Sequence, residues 1–270
     1  RSQRAPKMLF DNKQKMLPGD SMNIRGAVDS YDRKTSTYVV AYLDILGITS
    51  RMQQKIEDQV EPLNKLYNLY TYIMELADEK TGIKKYADIK FRIFSDNIII
   101  AKELSDQTQK RMKDIESLLN CVSNFACSII GDSVGWLLRG GITIGDFYID
   151  DTIVWGPALL RAYELEGRVA VYPRIAIDTA MLSELNQHGM STDYVELDFD
   201  GVYYLNYMTI WHFAGEFVKN GFEMMKAEAR KPDGTYSDRI YQKLFWHMKY
   251  INHELDRKNE RKDKEYRLYI

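Results

Sequence analysis

Two aspartates lie inside runs that otherwise read as buried strand. Asp44 sits in Tyr38-Val-Val-Ala-Tyr-Leu-Asp44-Ile-Leu-Gly47, and Asp96 in Phe91-Arg-Ile-Phe-Ser-Asp96-Asn-Ile-Ile-Ile100. β-Branched and aromatic residues dominate both, the composition of a strand packed on at least one face. A bare carboxylate there is costly unless a cation or hydrogen bonds compensate it, and two converging carboxylates repel unless a divalent metal sits between them. Each has a structural reading of its own: Asp44 caps a turn before Gly47, and Asp96 starts a tight Asp-Asn turn. As a pair they are the best metal-site candidate in the chain.

The elements that must position them follow from periodicity. A strand is expected over 37–45. A helical region comes next, broken by Pro62, with Ile56, Val60, Leu63, Leu66, Tyr70, Ile73 and Leu76 recurring every three or four residues, and Gly82 ends it. Residues 89–101 read as a hairpin turning at Ser95-Asp96-Asn97. A second long helix runs from an N-cap at Ser105 or Asp106 to Gly131, with Met112, Ile115, Leu119, Val122, Ala126 and Ile129 as its apolar stripe. A strand over 137–145 has glycines that allow close backbone approach, and 147–155 forms the other arm of a hairpin turning at Asp150-Asp151. Gly156-Pro157 opens a short helix whose apolar faces are Leu159, Leu160, Tyr163 and Leu165, closed by Gly167. A strand over 174–177, a hairpin over 194–207 around Asp200-Gly201, and amphipathic helices at 211–230 and 237–257 complete the series. This order predicts an α+β fold, an antiparallel sheet with helices on one face around a ferredoxin-like split βαβ core, plus C-terminal helices. Three parts are expected: a loose arm at 1–36, a catalytic domain at 37–210 and a helical extension at 211–270.

Composition narrows the function. The chain has 270 residues and a net charge of −2 from 37 basic and 39 acidic side chains, which argues against a broad footprint for nucleic acid or an anionic membrane. Cys121 and Cys127 suit a reduced compartment, read as small buried hydrophobes, and make neither a disulfide framework nor a zinc set. No apolar run approaches a membrane span and no signal peptide is visible, so a soluble cytoplasmic protein is expected. The charged tail at 257–265 reads as a solvated helix face.

The stretches Tyr42-Leu-Asp44-Ile-Leu-Gly47, Phe94-Ser-Asp96, Arg139-Gly-Gly-Ile-Thr-Ile-Gly145 and Trp155-Gly-Pro-Ala-Leu-Leu-Arg-Ala-Tyr-Glu-Leu-Glu166 together resemble the catalytic domain of class III nucleotidyl cyclases. They are most similar to the bacterial pyrimidine cyclases of Pycsar anti-phage defence, and the resemblance spans about residues 37–210. It implies a cyclisation assisted by two Mg²⁺ or Mn²⁺ ions, in which a nucleoside triphosphate gives a 3′,5′-cyclic monophosphate and pyrophosphate. By the resemblance, Asp44, Asp96 and the backbone carbonyl of Ile45 hold the metals, and the active sites are shared across a head-to-tail homodimer. Hard oxygen ligands suit such ions. A separate effector protein that senses the cyclic nucleotide is also implied.

Departures from the family pattern carry information. Positions that hold a transition-state Asn and Arg in relatives are Leu160 and Glu164 here, and Arg161 is the candidate substitute. Arg139 is a candidate for phosphate, and Arg161 and Arg139 can equally be structural ion-pair partners. Arg92 stands where purine cyclases have a base-reading lysine, and Ile153 where an adenine-reading Asp would be. The implied product is cUMP or cCMP. The rivals are a purine cyclase, a diguanylate-cyclase-like palm enzyme, whose Gly-Gly-Asp/Glu-Glu-Phe signature is missing, and a catalytically dead nucleotide-binding or dimerisation module.

Overall fold

Strands form where the β-branched runs lie, and the computed structural model shows how they are paired. It describes residues 33–48, 55–131, 133–188, 194–210, 215–257 and 266–270. Most of the expected arm at 1–36 and of the tail at 257–265 falls outside these. The elements in order are β1 (Ser36–Leu46), α1 (Ile56–Glu75), β2 (Lys90–Phe94), β3 (Asn97–Glu103), α2 (Thr108–Ile130), β4 (Leu137–Ile149), β5 (Val154–Trp155), α3 (Pro157–Glu164), β6 (Ile175–Ile177), α4 (Thr179–Gln187), β7 (Val195–Leu197), β8 (Tyr203–Leu205), α5 (Gly215–Ala229) and α6 (Asp238–Arg257). A π-helical turn, Leu165–Val169, extends α3.

Among the described residues the sheet has eight strands in the order β2-β3-β1-β4-β6-β8-β7, with β5 paired to the end of β4. Neighbours are antiparallel except β4 and β6, which run parallel because the chain crosses over through α3 between them. The fold is therefore mixed α+β, as the sequence predicts, with one parallel pair in the expected antiparallel sheet.

Alternation along β1 separates two layers. Val39, Ala41, Leu43 and Ile45 face a core that contains Ile115, Leu119 and Val122 of α2, Phe222 of α5 and Tyr250 of α6. Tyr38, Val40 and Tyr42 face the other way, against Ala158 and Ala162 of α3. Helices thus cover both faces, not one, and among the described residues α3 and the π turn that extends it lie over the Tyr42 side of β1. Their close approach explains Gly141 of β4, where a Cβ would stand 2.4 Å from Leu165 Cβ and 2.5 Å from the Ala162 carbonyl. Thr35–Ile270 forms one compact unit, and the helices expected as a C-terminal extension bury Val218, Met225, Leu244 and Ile251 in the same core as β1.

Several boundaries differ from expectation for physical reasons. Helix α1 runs through Pro62 without a break, because the Asp58 carbonyl that loses its donor is on an exposed turn where solvent can serve it. Only its second half is buried, through Leu66, Leu69 and Ile73, while Val60 and Leu63 are exposed. The helix stops at Glu75, well before Gly82, whose φ of 67° serves a later turn closed by the Asp78 carboxylate. Helix α2 starts at Thr108 without a side-chain cap, and the expected stripe is buried apart from Met112, which is half-buried. Strand β4 continues unbroken to Ile149, and the hairpin with β5 turns at 150–153. On α3 the buried residues are Ala158 and Ala162, with Leu165 following in the π turn, whereas Leu160 and Tyr163 are exposed. Helix α4, capped by the Asp178 carboxylate on the Thr179 amide, is absent from the expected series.

Candidate active site

The first strand and its two neighbours place three polar side chains in one row. Asp44 on β1 is in register with Asn97 on β3 and with Arg139 on β4, and residues opposite one another share a face. That face is the one α3 covers. Arg139 donates from Nε to Asp44 Oδ2 at 2.8 Å. Its Nη2 stands 2.7 Å from Oε1 of Glu166, an ion pair whose alignment falls short of a hydrogen bond. Glu166, in the π turn, is only 4% exposed.

Asp96 reaches the same sheet edge through its hairpin. The turn between β2 and β3 is tight, with Ser95 at φ 59°. The Ile45 amide donates to the Asp96 carbonyl at 2.9 Å, which ties the turn to the residue after Asp44. Asn97 Nδ2 donates to Asp96 Oδ1 at 2.9 Å, and the Tyr42 hydroxyl donates to Asn97 Oδ1 at 2.6 Å. The two aspartates that the sequence singles out, together with Ile45, are therefore brought to one place.

The electrostatics record three crowded carboxylates. Burial pushes the Glu166 carboxyl upward, Arg139 pulls it down, and Asp44 and Asp96 push it up again, so it lies above the ordinary glutamate range. Burial and the negative charge of Glu166, Asp44 and Asp96 raise the Tyr42 phenol to about 12. Among the described residues, no three acidic, His or Cys side chains are arranged to hold a metal, and Asp44 is bonded to Arg139. The donor set itself suits a hard divalent cation. Its oxygens are carboxylates, Glu166 Oε1 is buried with Arg139 as its ion-pair partner, and added positive charge would relieve the mutual repulsion.

Arg92 and Ile153, the expected base-reading pair, meet at the turn between β4 and β5. Arg92 donates from Nε and Nη2 to the Asp150 carbonyl, from Nη2 to Asp151 Oδ1 and from Nη1 to the Phe91 carbonyl. Asp150 in turn accepts the Ile153 amide at 2.7 Å. Ile153 is 40% exposed. Of the five N–H groups of a guanidinium, Arg92 thus commits four within the chain.

Arg161 lies elsewhere. Its Nε and Nη2 donate to Asp178 Oδ1 at 3.1 and 2.7 Å, and Thr143 donates to Asp178 Oδ2 at 2.7 Å. Burial favours the neutral acid, but the bonds from Arg161 and Thr143 outweigh it and hold Asp178 below the ordinary aspartate range. Thr143 is four residues along β4 from Arg139, roughly 13 Å at the strand rise. Arg161 and the Asp44–Asp96 edge are therefore two clusters on the same face. Glu166, Asn97 and Tyr42 were given no role from sequence, although Tyr42 and Glu166 fall inside the motifs. Their side-chain partners come from other elements, and no local spacing reveals them.

No protein-family model matches the chain, and no curated protein matches it. Among solved structures it is similar to the monomeric guanylyl cyclase domain of the RhoGC fusion protein from the aquatic fungus Blastocladiella emersonii, with 15% identity and a TM-score of 0.46 over 64% of this chain and 96% of that one. It is also similar to the guanylate cyclase domain of RhGC from Catenaria anguillulae in complex with GTP, with 14% identity and a TM-score of 0.42 over 64% and 98%. At TM-scores below 0.5, these likenesses carry no residue role across to this chain.

Proposed function

We propose that the chain is a nucleotidyl cyclase that converts UTP or CTP to the 3′,5′-cyclic monophosphate and pyrophosphate. The observation that carries this reading is the convergence of Asp44 and Asp96, with Glu166 beside them, at one edge of the sheet. In the reaction the ribose 3′ oxygen forms a bond to the α-phosphorus as the bond to the bridging oxygen of pyrophosphate breaks, and the hydroxyl proton is lost. Asp44, Asp96 and the Ile45 carbonyl would hold two Mg²⁺ or Mn²⁺ ions, whose charge would favour the ionised 3′ hydroxyl and the departing pyrophosphate. Arg139 orients Asp44 through its bond to Oδ2. The Tyr42–Asn97–Asp96 chain of hydrogen bonds fixes the hairpin that carries the second aspartate.

A head-to-tail homodimer is part of the proposal. Arg161 is bonded to Asp178, whose partner Thr143 lies four residues along β4 from Arg139, roughly 13 Å of strand, whereas a second copy could present its own Arg161 to phosphate held at Asp44. The outer face of α3 exposes Leu160 at 65% and Tyr163 at 54%, with Trp155 nearby in sequence at 71%, apolar surface of the kind that associates. The pyrimidine preference is supported by Ile153, which offers no acceptor to the adenine amine, and Arg92, held at the same turn, keeps one N–H outside its bonds to the chain for the base. The role of the product as a defence signal read by a separate effector rests on the sequence resemblance. A second reading, a nucleotide-binding module without turnover, is favoured by the commitment of Arg161 to Asp178. Among the described residues no helix is long and apolar enough to cross a membrane.

Incubation of the purified chain with each of the four ribonucleoside triphosphates and Mn²⁺, followed by product identification, tests the proposal. UTP or CTP should be cyclised at least about tenfold faster than ATP or GTP, a margin of about 1.4 kcal/mol. Substitution Arg92→Ala should erode that margin. A purine as the best substrate overturns the base assignment, and no cyclic product from any of the four favours the binding module.

A further inference from the structure

The C-terminal helix pair closes a cavity of about 250 Å³ against the sheet. One wall is the turn that follows Asp44, through Leu46 and Gly47, and the opposite wall is α6, through Lys243 and Leu244. Gly47 has φ +87°, and a Cβ built on it would meet nothing within 4 Å, so there is open space against the backbone beside the metal-site candidates. Lys243 is half-buried and makes no ion pair or hydrogen bond among the described residues. The charges that act on it are Arg239, one turn earlier on α6, and Arg139, which oppose its proton, and Asp44 and Glu166, which favour it. Burial is the largest influence, and together these hold its pKa below the ordinary lysine value.

An ammonium group in that position is costly to the fold. It is partly desolvated, Arg239 and Arg139 oppose its charge, and Asp44 and Glu166, which favour it, also act with Arg139. We propose that α6 belongs to the site and that Lys243 receives the phosphate tail of the nucleotide where it passes Gly47 and leaves the Asp44–Asp96 edge. A phosphate would supply the hydrogen-bond acceptors that Lys243 lacks within the chain, and the leucine side chains around it would limit screening by water. Glu228 of α5 also lines the cavity, so Lys243 is the group there that favours an anion. The identity of the tail's owner rests on the cyclase reading; the phosphate subsite itself does not.

Calorimetric titration of the full chain with inorganic tripolyphosphate, and separately with uridine, which has no tail, tests this. Lys243→Met should weaken tripolyphosphate binding about tenfold and leave uridine binding unchanged. Lys243→Arg should recover affinity to within about threefold, and Lys249→Met, exposed on the same helix, should change neither. Should Lys243→Met fail to fold, as read by its thermal midpoint, Lys243→Gln takes its place. Tripolyphosphate affinity unchanged in the variant, an equal loss for uridine, or no tripolyphosphate binding by the wild type overturns the subsite. Cyclisation of a nucleoside triphosphate together with an unchanged variant sinks the subsite alone. Lys243-dependent tripolyphosphate binding without cyclisation of any nucleotide sinks the cyclase reading alone.

Discussion

Arg139 is bonded to Asp44 across the β1–β4 pair at 2.8 Å, and the same guanidinium meets Glu166 of the π turn. One cation therefore compensates two carboxylates, one of which is almost fully buried. Removing it strands both. Arg139→Leu is expected to cost about 3 kcal/mol of stability, the scale at which a buried pair loses one partner. Glu166→Gln in that background should return part of the loss, because it removes one of the stranded charges. Urea denaturation of the two single variants and the double variant gives the coupling energy. A coupling near zero would mean that Arg139 and Glu166 do not depend on one another.

On the proposed cyclase reading, Asp44→Asn and Asp96→Asn should each abolish cyclisation while leaving the sheet intact, since both swaps are nearly isosteric and would remove ligand charge that the proposed transition state needs. Turnover within about threefold of wild type at saturating Mn²⁺ in either variant removes that residue from the proposed metal set. The thermal midpoint of each apoprotein serves as the control for folding.

The glycines of β4 give a test that does not depend on function. Gly141→Ala would place its Cβ 2.4 Å from Leu165 Cβ and 2.5 Å from a helix carbonyl, so α3 has to lift off the strand. Gly145→Ala would place its Cβ 3.4 Å from Ala158 Cβ, near ordinary contact. The first change is expected to cost roughly 2 kcal/mol or more, the second less than about 1 kcal/mol. Equal thermal midpoints for the two variants would contradict the close seating of α3 described above.

What was legible in the sequence was whatever a single element decides. Asp44 and Asp96 stood out because each interrupts an apolar run, and the glycines at 140 and 141 announced a close approach. The element that approaches could not be read, because α3 reaches Gly141 by a crossover that also creates the parallel β4–β6 pair. The surroundings of Asp44 were hidden for the same reason: Glu166, which shares Arg139 with it, comes from the π turn, and tertiary packing alone brings it near. Apolar spacing misled on α1 and α3, where Val60, Leu63, Leu160 and Tyr163 have helical period yet are exposed. Periodicity marks a face but not what covers it. Helix α4 was missed although Asp178 is a good N-cap, because nine residues give too short a pattern.

The last prediction concerns His247 of α6, which is fully buried, tilts against Phe222 and has no hydrogen-bond partner at either ring nitrogen among the described residues. Burial lowers its pKa from 6.5 to about 3, so it is neutral in the folded chain and takes up a proton readily only when unfolded. The sign follows from that difference. Above pH 6.5 neither state binds the proton and stability is complete. As pH falls from 6.5 toward 3 the unfolded state is protonated first and stability is lost, by about 1.4 kcal/mol for each unit below 6.5. His247→Leu keeps an apolar side chain of similar reach and removes the proton. Its unfolding free energy should therefore fall less steeply than wild type between pH 6.5 and pH 4.5, and the gap between the two should narrow or reverse toward the acid end. Parallel pH profiles for the two proteins would show that His247 is not the group that titrates on unfolding in this range.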